Sequence, residues 1–234
     1  VASAVSSCCR LRFASFGCLK AEMLRATTRR RLSTAGVRVL LRQRPAANQP
    51  VTAGCFELAS EGSPHITSAS GDELHCRTLY LSVDPFLRCR FNESTGVDYT
   101  MPYRPGEPIA SAGIGQVLAC GEAASERGFA AGDLVLQPFD AWPWASTVTL
   151  PAASVSRIPA ALGALVPPTS LLGAAGQPGL TAFVGVEHAA RPQPGEVVVV
   201  SGAAGAVGSL ACQLFRRRGC KVIGLCGSAA KAKW

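Results

Sequence analysis

The 234-residue sequence predicts an α/β chain in two parts: a β-rich domain, then a doubly wound parallel sheet that is only begun. Two observations carry this. Between residues 37 and 160, short apolar runs alternate with Gly, Pro, Ser and Asp, the texture of a small barrel or sandwich. After residue 190, four consecutive valines, a glycine-rich turn, an amphipathic run and a second apolar run follow in the order of one β-α-β unit.

Residues 1–36 are set apart by composition and excluded from fold reasoning. They carry seven Lys or Arg against a single acid, Glu22, and the stretch RATTRRRLSTAG (25–36) is rich in Arg, Ser and Thr. Two readings stay open: a mitochondrial transit segment, or translation upstream of a true start such as Met23, since the first residue is Val. The second reading leaves a cytoplasmic protein, the first a mitochondrial one.

The β-rich domain is assigned to residues 37–160. Its strand candidates are VRVLL (37–41), LHCRTLYLSV (74–83), GIGQVLAC (113–120), DLVLQPF (133–139) and STVTL (146–150). Residues 161–234 form the start of the second domain, opening with short helices around 169–175 and 180–190 and a turn at RPQPGE (191–196). VVVV (197–200) predicts a strand buried on both faces, as inside a parallel sheet. Ala206, Val207, Leu210, Ala211 and Leu214 recur at helical spacing. Arg216, Arg217 and Arg218 oppose the helix dipole in the last turn, Gly219 stops the helix, and KVIGLC (221–226) is the next strand.

Charge and cysteine usage exclude several classes. The net charge is +8, but residues 1–36 hold +6 of it, leaving 16 bases against 14 acids elsewhere. A nucleic-acid binder would spread basic residues over its folded surface, so that class is set aside. No apolar run reaches the roughly 18–20 residues of a membrane-spanning helix, and a soluble protein is expected. The ten cysteines include no C-x-x-C, and the His75–Cys76 pair is merely adjacent within a strand-like run. Reduced, mostly buried thiols are expected. His65, His75 and His188 have no partner at telling spacing and receive no role.

The chemistry lies in the turn Gly202-Ala-Ala-Gly205-Ala-Val-Gly208. Gly205 admits a diphosphate close to the backbone, Gly208 allows close helix packing, and the unpaired N–H groups at the helix start face the phosphates. Where an NAD site places an acid for the ribose 2′-hydroxyl, this sequence has Leu225-Cys226-Gly227-Ser228, with Lys231 three residues on. An ammonium attracts a 2′-phosphate that a carboxylate would repel, so NADPH is the expected cofactor.

This layout resembles the medium-chain dehydrogenase/reductase superfamily over residues 37–234: a GroES-like β-barrel domain followed by an incomplete Rossmann domain. Zinc-dependent members carry a Gly-His-Glu element where this chain reads Ser111-Ala112-Gly113-Ile114-Gly115, so the resemblance implies no zinc. RTLYLSVDPFLRCRFNESTGVDY (77–99), WPW (142–144), GAAGQPGLTAFVGV (173–186) and SGAAGAVGS (201–209) are similar to the zinc-independent 15-oxoprostaglandin 13-reductases. That family implies NADPH-dependent reduction of the 13,14 double bond of 15-keto prostaglandins, small-molecule lipid substrates.

By that resemblance Gly205, Ala206, Val207 and Gly208 hold the diphosphate, Lys231 the 2′-phosphate, and Thr181 approaches the nicotinamide or simply caps a helix. Tyr99 falls on a substrate-pocket tyrosine, or packs a loop. The substrate-lining pair before WPW is displaced by an apparent two-residue extension, leaving Phe139, Asp140 and Ala141 as candidates. Trp142 and Trp144 either line an apolar pocket or fill the core. The resemblance places a second active-site tyrosine beyond residue 234.

With two of about six strands, residues 37–234 alone are expected to leave both strands' apolar faces uncovered, to be inactive, to bind NADPH poorly and to aggregate. Two competing readings remain: a general alkenal or quinone reductase of the same fold, and a truncated, non-catalytic isoform.

Overall fold

The computed structural model describes residues 36–46, 49–60 and 69–233. The leader up to residue 35 and His65 lie outside them.

Strands β1 (Val37–Leu41) and β2 (Phe56–Ser60) pair antiparallel. β3 (Glu73–Leu81), β4 (Ala110–Cys120), β5 (Leu134–Pro143), β6 (Thr147–Pro151) and β7 (Ser156–Arg157) form an antiparallel sheet in the order β6-β3-β4-β5-β7. The short helix α1 (Glu122–Glu126) joins β4 to β5. Alternation along β3 sends Leu74 and Cys76 into the core, opposite Val117 of β4 and Val148 and Leu150 of β6. Burial pushes the Cys76 thiol up to about 12, which keeps it protonated and inert.

The expected barrel is not closed among the described residues. The edge strands β6 and β7 do not pair, because the two-residue β7 and a β6 ending in Pro151 offer no ladder long enough to join. β1 instead bridges the start of β4 and the end of β5: Val39 N donates to Trp144 O at 2.8 Å, and Ile109 N to Val39 O at 3.1 Å. β2 was absent from the sequence expectations. So was the 3-10 helix Pro85–Phe91, whose Phe91 joins Leu41, Tyr103 and Ile109 in a second core cluster.

α2 (Ala160–Leu165) and α3 (Gln177–Val184) lead to the second unit. A π-helical segment, Gly185–Ala190, continues α3 to Arg191, whose φ of 48° ends it. β8 (Val197–Ser201), α4 (Ala206–Arg217) and β9 (Lys221–Leu225) then form the parallel β-α-β unit, with Val197 opposite Lys221 and Ser201 opposite Leu225. Gly219 ends α4 at φ +82°.

The valine strand is buried on one face only. Val198, Val200 and Val222 pack with Val186, Ala211, Leu214, Phe215 and Cys220, whereas Val197 and Val199 are 62% and 58% exposed and Ile223 and Leu225 about half exposed. The expected two-sided burial fails because α4 and the π-helical segment bearing Val186 cover one side and no described element covers the other. Within α4, Val207 also points outward, and Phe215 takes the buried position.

Candidate cofactor and substrate site

The glycine turn sits at the carboxyl end of β8. Gly202 turns the chain with φ +64°, and Gly205 starts α4 from an extended conformation. A Cβ on Gly208 would fall 2.3 Å from Gly202 O and 3.0 Å from Ala203 Cα, so the first turn of the helix lies directly on the loop. Nothing larger than glycine fits there. Ala206, Val207 and Gly208 open the helix, where amides have no intrahelical acceptor and the dipole is positive. This is a cradle shaped for an anion.

β9 completes the cradle. Ala203 N donates to Leu225 O at 2.9 Å, and a Cβ on Gly224 would meet Ala203 Cβ at 2.8 Å. Helix α5 (Ala229–Ala232) starts at the same sheet end, with the Ser228 hydroxyl accepting from Lys231 N at 3.3 Å. Lys231 is therefore an exposed cation in the first turn after β9, and residues 225–233 contain no acid. The residues present suit a diphosphate with an additional phosphate.

Thr181 does not cap a helix. It lies inside α3, which starts at Gln177 after Gly176, and its hydroxyl donates back to Gln177 O at 2.8 Å. The capping alternative is therefore corrected: Pro178 in the first turn fixes the start upstream of Thr181.

In the first domain the candidate substrate residues separate into three groups. Tyr99 and Phe139 are 69% and 67% exposed, and Ala141 is also exposed. Asp140 is drawn inward. Its carboxylate pairs with Arg90 Nη1 at 3.0 Å and accepts from the Thr100 hydroxyl at 2.5 Å. Both contacts fall on the same carboxylate oxygen, Oδ2. Trp142 is a core residue, 0% exposed, and the pocket-lining expectation for it is corrected. Its Nε1 donates to Thr78 Oγ1 at 2.9 Å, and its ring fills the space left by Gly113 and Gly115 on one face of β4. Trp144 is half-buried and donates to Ser111 Oγ at 2.8 Å.

Sequence reasoning missed Arg90, Thr100 and Tyr103. Arg90 lies 4.0 Å over the Tyr103 ring, and the Tyr103 hydroxyl donates to Ala110 O at 2.5 Å. Burial pushes the Tyr103 phenol up to about 12, against the opposing pull of Arg90. The available signal was a pair of arginines, Arg88 and Arg90, and a lone Asp, embedded in apolar, aromatic stretches (FLRCRF and PFDAWPW). Among the described residues no three His, Cys, Asp or Glu side chains gather to hold a metal, and no helix is long and apolar enough to cross a membrane.

Residues 38–158 match the family described as the N-terminal domain of oxidoreductase. The NADP(+)-dependent 2-alkenal reductase of Nicotiana tabacum is 37% identical over 155 residues, covering 66% of this chain and 42% of that protein. Prostaglandin reductase 1 of Bos taurus is 32% identical over 179 residues, covering 76% and 49%. The crystal structure of CurA in complex with NADPH from Vibrio vulnificus superposes with a TM-score of 0.68 at 28% identity, covering 84% of this chain and 53% of that one. The chain thus spans about half the length of the proteins it matches. The domain match, together with the strand, glycine turn and helix that come after it in the chain, establishes that this chain belongs to the medium-chain dehydrogenase/reductase family of oxidoreductases.

Proposed function

We propose that this chain carries the substrate rim and phosphate cradle of an NADPH-dependent enone reductase that acts on 15-keto prostaglandins, in the manner of prostaglandin reductase 2. The carrying observation is the glycine cradle with Lys231 at the same sheet end and no carboxylate beside it. The first-turn amides of α4 hold the diphosphate, and the Lys231 ammonium attracts the 2′-phosphate. When bound, NADPH supplies a hydride to the carbon β to the enone carbonyl. Tyr99 offers a phenol donor to an oxygen of the substrate, and Phe139 an apolar contact for its chain. The named relatives in tobacco and cattle, an alkenal reductase and a prostaglandin reductase, support the reaction class.

A second reading, a general alkenal or quinone reductase, is favoured by the higher identity to the tobacco enzyme. Steady-state rates of the intact protein on 15-keto prostaglandins, short enals and quinones separate the two. Lys231→Ala tests the cofactor assignment itself. It should raise the KM for NADPH about three- to fivefold, the roughly 0.7–1 kcal/mol of a single exposed ion pair, and leave the KM for NADH unchanged. Equal effects on both cofactors would overturn the 2′-phosphate role.

A further inference from the structure

Arg90 is an unusual residue for its place. Its side chain is only 12% exposed, and it sits where four segments meet: the 3-10 helix that bears it, the loop 92–103, the start of β4 and the end of β5. Nε donates to Met101 O at 2.8 Å and Nη1 to Asp140 O at 3.0 Å, while the guanidinium covers the Tyr103 ring. The Asp140 carboxylate answers the charge and accepts from Thr100. A largely buried ion pair is a poor source of net stability because desolvation offsets its attraction; what such a pair fixes is arrangement.

What it arranges is visible one residue away. Tyr99 precedes Thr100, Met101 is held by its own carbonyl, and Phe139 precedes Asp140. These three large side chains point outward, 69%, 73% and 67% exposed, from backbone tied to the same guanidinium–carboxylate pair. We propose that Arg90, Asp140 and Thr100 are positioning residues: a polar latch that holds Tyr99, Met101 and Phe139 as one apolar rim for the tail of an extended enone substrate. Met101 joins the rim on this ground alone. The inference rests on the enone-reductase reading above.

The test uses the intact protein and Thr100→Val, which removes the hydroxyl donor to Asp140 at nearly constant shape, beside Thr100→Ser, which keeps it. Asp140→Asn is a third variant. Expected for Thr100→Val and Asp140→Asn is a rise of about five- to tenfold in KM for a 15-keto prostaglandin, with kcat and NADPH affinity within about twofold. Thr100→Ser should behave as the parent. For a short enal, which has no tail to seat, KM should move less than about twofold. Hydrogen exchange should quicken in residues 96–103 and not in β3. A loss of kcat and cofactor affinity together, or equal KM changes for long and short enones, would overturn the latch as a substrate-positioning device. So would Thr100→Val kinetics indistinguishable from the parent. If the parent reduces no enone, it is the functional reading that fails.

Discussion

Gly113→Ala is the substitution whose cost the structure specifies most closely. A Cβ at 113 would stand 2.4 Å from Cγ, 2.7 Å from Cβ and 2.8 Å from Cδ2 of Trp142, where ordinary contacts begin at 3.4 Å. The indole has no retreat. It is fully buried, its Nε1 is engaged by Thr78, and its far edge is as close to the position a Cβ on Gly115 would take. Overpacking of a filled core costs about 1–3 kcal/mol, and the enclosure on both sides puts this case near 2–3 kcal/mol. For a domain of this size that is a fall in Tm of roughly 8–12 °C. Urea unfolding followed by circular dichroism gives the value, and a cycle with Trp142→Leu gives its origin. Once the ring is removed, the added methyl should cost less than about 1 kcal/mol. An unchanged parent stability, or the same cost in both backgrounds, would refute the packing argument.

Gly208→Ala should both destabilise the β8–α4 turn and weaken NADPH binding at least tenfold, because the new carbon would displace Gly202 from beneath the helix start; isothermal titration reads the affinity. Tyr103→Phe addresses alkaline stability. The folded phenol, held up by burial at about 12, lies above its unfolded value near ~10, so its contribution is complete below that value and is lost as pH rises toward 12. The parent should therefore lose on the order of 2–3 kcal/mol more than Tyr103→Phe across that window, measured by urea unfolding at stepped pH. Val199→Thr with Ile223→Thr should slow aggregation of a protein spanning residues 36–234, by light scattering, with less than ~0.5 kcal/mol change in stability. A marked destabilisation would mean that this strand face is covered after all.

The β-α-β unit was legible because its signals are local. Glycines at a turn, cations before a helix stop and apolar residues at helical spacing each follow from neighbours in sequence. Burial of the valine run was not, since exposure of Val197 and Val199 depends on which elements cover the sheet, and VVVV reads the same either way. The core role of Trp142 was illegible for a related reason. It is set by Gly113 and Gly115 on a neighbouring strand, and only the β4–β5 register brings them under the ring. Asp140 is named from the sequence only as one of three substrate-lining candidates, and its partners Arg90 and Thr100 lie 50 and 40 positions away, beyond any periodicity. Tyr99 and Phe139 are named through family resemblance alone, and both side chains are exposed.

The bond from Ala203 N to Leu225 O has a consequence for biosynthesis. The anion cradle is finished by a carbonyl on the strand that follows the helix, so a nascent chain emerging from the ribosome cannot complete it at the moment the glycines appear. Until β9 docks, the Ala203 amide lacks this acceptor, and a dinucleotide would meet a loop not yet fixed in place. Any capture of a nucleotide at this cradle would thereby wait until the second strand is in register.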